Sequence, residues 1–117
     1  MRADTKPPRG LPAEVRRAFA AKVTALSDAG LLISATTDEV LAWSKWRVIR
    51  DRALDEVLAD GVSVAGRRDG DTVKHPSTTT AKTATESMSS IDRAIAARHR
   101  AADADELATL RYLEGDQ

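Results

Sequence analysis

The chain has 117 residues, one domain's worth, with no room for two independent cores. Its 18 basic and 18 acidic side chains cancel, so bulk charge selects neither nucleic acid nor a membrane surface as partner. Cysteine is absent, which excludes disulfides and thiolate sites, and no apolar run approaches the roughly 20 residues of a membrane helix.

Residues 1–10 (MRADTKPPRG) hold two prolines, a glycine and three basic groups with almost nothing apolar, and read as a flexible basic arm without a signal-peptide stretch. Pro12 suits the first position of a helix, where its missing N–H costs nothing. Val15, Phe19, Val23 and Leu26 then recur at helical spacing, and Gly30 supplies a left-handed stop. After the apolar linker Leu31-Leu32-Ile33, Thr36 and Glu39 form a capping-box signature. A second helix is expected from about Thr37 to Ala59, closed by Gly61. Its apolar set runs from Val40 through Trp43, Trp46 and Ile49 to Leu58, wide enough to pack on two sides.

Period-two alternation follows over about 62–74, with Asp69-Gly70 between β-branched runs, and predicts a β-hairpin ended by Pro76. Ala81, Ala84, Met88, Ile91 and Ile95 then keep a 3-4 spacing, a narrow helical packing seam. No Gly or Pro separates Ser77 from Glu114, so this stretch is either one helix through Leu107, Leu110 and Leu113 or two helices split near Asp103. The expected organisation is therefore a basic arm (1–10), a helical core with one hairpin (11–100) and an acidic C-terminal helix or tail (101–117). The fold class is mainly α.

The composition predicts self-association. Hydrophobic residues make up 42% of the chain, but 21 of them are alanine and only 23 are Leu, Ile, Val or Phe, a thin core that calls for partner chains. Charge is segregated, residues 61–100 carrying seven basic and four acidic groups and 101–117 one and five, which points to two surfaces with different partners. The face bearing Trp43, Trp46, Ile49, Ala53 and Val57 is the expected subunit-packing surface.

Catalytic patterns are missing. His75 and His99 stand 24 apart with no ligand at metal spacing, Asp69-Gly70-Asp71 lacks the remaining oxygens of a calcium loop, and no nucleophile elbow or phosphate-cradling loop occurs. The expectation is a non-enzyme with no cofactor and no metal. The basic residues carry more. Arg67 and Arg68 sit at the hairpin tip with Lys74 on the return strand, a weak phosphate contact that repetition around a ring would strengthen. Arg16, Arg17 and Lys22 form a second set on the first helix, for which DNA contact and an ordinary solvated face fit equally. Lys45, Arg47, Arg50 and Arg52 alternate with Asp51, Asp55 and Glu56, as salt-bridged helix faces do.

The order of these pieces resembles the small subunit of phage terminases over roughly Asp38 to Ile95. The shared features are a Trp-bearing helix, Gly61-Val62-Ser63-Val64-Ala65-Gly66, a polar turn at Gly70, then Val73-Lys74-His75-Pro76 and a helix. His75 stands where the family usually has Asn before Pro, and the break expected after the third helix is replaced by Ala101 to Leu113. The resemblance implies a non-catalytic DNA-packaging protein that assembles into a homo-oligomeric ring in the cytoplasm of an infected bacterial host. It further implies double-stranded viral DNA and the large ATPase-nuclease subunit as partners, with Asp103 to Asp116 a docking element for the latter or a solubilising tail. The alternatives are a dimeric helix-turn-helix DNA-binding regulator and a structural head-completion or connector protein.

Overall fold

The structure is a computed structural model and describes residues 5–60, 63–65 and 72–115. Three helices dominate: α1 (Ala13–Asp28), α2 (Thr37–Asp60) and α3 (Pro76–Gly115), with a short 3-10 turn at Leu32–Ser34. Between α2 and α3, β1 (Ser63–Ala65) pairs antiparallel with β2 (Thr72–Lys74), Val64 opposite Val73. The expected Asp69-Gly70 turn lies outside the described residues.

Both ends of α1 and the starts of α2 and α3 have local causes. Pro12 stands one position before the helix it was expected to begin, its carbonyl accepting the Arg16 N–H, and Gly30 (φ 74°) adopts the left-handed conformation that ends α1. The Gly30 N–H donates to the Ser27 carbonyl and the Leu31 N–H to Leu26, a Schellman pair that satisfies the last carbonyls of the helix. At the start of α2, the Thr36 N–H donates to Glu39 Oε1 (3.0 Å) and the Glu39 N–H to Thr36 Oγ1 (3.2 Å), the reciprocal bonds of a capping box. His75 performs the corresponding task for α3. Its Nδ1 accepts the Ser77 N–H at 3.0 Å while Pro76 occupies the first helical position.

Both α1 and α3 pack against α2. The ion pairs give the directions: Glu14 of α1 meets Arg52 of α2, and Lys22 lies over Trp43, so the two helices run antiparallel. Likewise Glu39 meets Arg98 of α3, while Glu56 accepts from the Ser77 hydroxyl and Asp60 bonds His75. The core gathers Phe19, Val23 and Leu26 from α1, Leu32 and Ala35 from the linker, Val40 from α2 and Ile95 from α3. Ala81, Ala84 and Met88 extend the buried seam along α3, and Ala53 and Val57 are buried on α2.

The long C-terminal segment is one helix of 40 residues, about 60 Å at 1.5 Å per residue. The described chain is correspondingly drawn out, 80 × 32 × 18 Å. From Arg100 to Gly115 every residue is exposed, so the last four turns project beyond the three-helix body.

Candidate nucleic-acid and assembly surfaces

Of the expected phosphate-binding residues, Arg67 and Arg68 lie outside the described residues, and of Lys74 the backbone alone is placed, in β2. Arg16 and Arg17 are exposed on α1. Lys22 is not. It is 9% exposed, its Nζ donates to Asp92 Oδ1 of α3 at 2.6 Å, and the ammonium sits 4.3 Å from the centre of the Trp43 ring. A cation committed to a carboxylate and an aromatic face inside the fold is unavailable to DNA. The helical positions already held this signal, because Lys22 lies four residues after Ala18 and four before Leu26, on the buried side of α1.

The expected subunit-packing face is likewise turned largely inward. Trp43, Ala53 and Val57 are buried within the single chain and Trp46 is half-buried, which leaves Ile49 as its exposed member. Trp43 has both Lys22 and Arg47 near its ring, the Arg47 guanidinium carbon 5.5 Å from the centre, and its indole N–H has no acceptor among the described residues. The outer cleft between α1 and α2 is lined by Arg17, Arg47, Arg52, Glu14, Asp51 and Asp55. Most of its charge is neutralised internally, with Arg52 on Glu14 and Arg47 on Asp51.

A polar cluster without any signature in the sequence joins the middle of α3 to the linker before α2. Arg98 grips Glu39 with two bonds, Nη1 to Oε1 at 2.7 Å and Nη2 to Oε2 at 3.0 Å, and Nη1 also donates to the Ser34 carbonyl. One residue on, His99 Nδ1 lies 2.8 Å from Ser34 Oγ, and its Nε2 lies 3.6 Å from Asp103. The Arg98 bonds hold the Glu39 carboxyl below its ordinary value; burial opposes this, and the Thr36 amide and hydroxyl add to it. These partners are 59 to 65 residues apart, so no local spacing announces them. Among the described residues they are the last side-chain ties between α3 and the other elements before the helix projects.

His75 and Asp60 form a second histidine–carboxylate pair at 3.1 Å. Ser77 offers His75 its backbone N–H while its hydroxyl turns to Glu56, so the group caps a helix and lacks the serine-to-imidazole bond of an activated nucleophile. Among the described residues, no group of three or more His, Asp or Glu side chains could hold a metal ion, and no helix is long and apolar enough to cross a membrane.

The projecting end of α3 has its own chemistry. Leu107, Leu110 and Leu113 retain 55%, 49% and 59% exposure, and Tyr112 retains 69%. At about 100° per residue the three leucines share a third of the helix circumference with Asp103, Glu106 and Glu114. An apolar stripe interleaved with carboxylates is an interaction surface lacking a partner among the described residues. No protein-family model, curated protein or solved structure matches the chain.

Proposed function

We propose that the chain is a non-catalytic small subunit of a phage terminase. In this reading it forms a homo-oligomeric ring, binds double-stranded viral DNA, and recruits and regulates the large ATPase-nuclease during genome packaging. The observation that carries the self-assembly part is the uncovered leucine face of α3, on a helix that extends about four turns past the other described helices. The DNA part rests on the resemblance and on the cations of the hairpin region, Arg67, Arg68 and Lys74, with Arg16 and Arg17 as a second set. His75 supports the resemblance where the sequence departs from it, because a histidine at the N-cap accepts the same amide bond that an asparagine before proline would.

Light scattering on the purified chain tests the ring; a single-chain mass at all concentrations would sink it. Gel shifts with phage DNA over a salt series test the DNA part. Binding should weaken steeply with salt, and an Arg67→Ala, Arg68→Ala double variant should bind more weakly with a salt slope shallower by about two. Co-purification with an adjacent large-terminase ATPase tests the partner. The second reading, a structural head-completion or connector protein, is favoured by the burial of Lys22, which removes one of six expected DNA-facing cations. The antiparallel alignment of α1 and α2 counts against a helix-turn-helix regulator, whose paired helices cross at roughly 90–120°.

A further inference from the structure

We propose that the projecting end of α3 docks in trans on the solvent face of α1 in a second copy of the chain. The inference rests on the self-assembly reading above and names the two surfaces that meet. The tail face is Leu107, Leu110 and Leu113 interleaved with Asp103, Glu106 and Glu114. Its charge decides what can cover it. Two such tails laid against each other would bring the carboxylates of both chains together, and residues 101–117 carry five acids to one base. Glu114 also stands at the negative end of the helix dipole, with no basic residue in the last turn to offset it. The complement is therefore a cationic surface able to receive leucines.

The chain presents one. Arg16 and Arg17 flank Ala13, Ala20 and Thr24, all exposed and all within about a third of the circumference of α1. Small side chains between two guanidinium groups give leucines a shallow bed and carboxylates a bidentate partner on either side. Neither arginine has an ion pair within the described chain, whereas Arg47, Arg50, Arg52 and Arg98 all do. The lengths agree as well: 16 residues in α1 and 15 in the tail from Ala101 to Gly115, each near 23 Å.

The contact joins different surfaces on the two copies, so it propagates head to tail and gives a closed ring when the rotation closes. It also reassigns Arg16 and Arg17 from viral DNA to the neighbouring subunit.

The test is a charge exchange on the full chain, read by light scattering, with circular dichroism confirming helix content in each variant. Arg16→Glu with Arg17→Glu, and separately Asp103→Arg with Glu106→Arg, should each reduce the assembly to the single-chain mass of 12.6 kDa. All four substitutions together should restore the wild-type mass. If the wild-type chain assembles and either double variant assembles unchanged, the docking is overturned while the ring survives. The docking falls equally if the combined variant stays dissociated, or if Arg16→Glu with Arg17→Glu abolishes DNA binding without changing mass. A wild-type chain of single-copy mass overturns both this contact and the ring.

Discussion

The two halves of α3 are one uninterrupted helix with opposite relations to the rest of the molecule. In the first half, Ala81, Ala84, Met88 and Ile95 are buried, and Arg98 and His99 tie the helix to Ser34 and Glu39. In the second half nothing is buried, although Leu107, Leu110 and Leu113 are larger than most of the side chains that pack the first. Burial here follows from where α2 begins. Glu39, in the first turn of α2, meets Arg98, so α3 residues well beyond that turn have no partner among the described helices. The second half persists as helix because its nucleation is already accomplished by the first. Each added residue has only to propagate, and the segment is rich in alanine and leucine. Side-chain size therefore says little about stability in this helix, and position along it says a great deal.

Three measurements would break or sharpen that contrast. The largest effect is expected from truncating equivalent apolar groups in the two halves. Ile95→Ala should lower the unfolding free energy by about 2–5 kcal/mol, whereas Leu110→Ala in dilute, unassembled protein should change it by less than about 0.5 kcal/mol. Urea denaturation of both variants decides it, and equal losses would mean that the tail is packed on its own chain.

An intermediate effect is expected at the boundary. Glu39→Ala removes the capping bond and frees Arg98, for a loss of about 1–2 kcal/mol. The same carboxylate sets a pH dependence. Its pKa is lower in the folded state than its ordinary 4.5, so its contribution is complete above that value and is lost as pH falls through the lowered one. Stability should therefore fall less on acidification in Glu39→Ala than in the wild type, as checked by thermal melts between neutral and acid pH.

The smallest effect on stability, with a visible one on structure, is expected from Ala104→Pro. It interrupts the projecting turns, so in dilute, unassembled protein helical ellipticity should drop while the unfolding midpoint stays within about a degree or two. A shifted midpoint would show that the tail takes part in the cooperative core.

Features set by neighbouring residues were legible in the sequence. The Gly30 stop, the Thr36–Glu39 box and the 3-4 seam from Ala81 to Ile95 each depend on contacts within one or two helical turns, where spacing and geometry coincide. The choice between one C-terminal helix and two was open because the answer rests on the absence of a breaker, which permits continuity without requiring it. Periodicity also identified the face of Trp43, Ala53 and Val57 as apolar but not what covers it, and these three side chains are buried within the single chain, with Lys22 of α1 over the Trp43 ring. Lys22 with Asp92, and Arg98 with Glu39, were illegible as pairs because they close loops of 70 and 59 residues. The chemistry of the tail was half visible: its acidity shows in the composition, but the sharing of one face by its leucines and carboxylates emerged once the segment was a single helix.

The 80 Å length of the described chain bears on how its mass can be weighed. A compact chain of this size would have a radius of gyration near 13 Å, against the 20.2 Å found. Frictional drag on such a rod makes a lone copy migrate through a sizing column like a multimer of rounder subunits. Elution volume alone would therefore report association where none exists, and stoichiometry has to come from methods blind to shape.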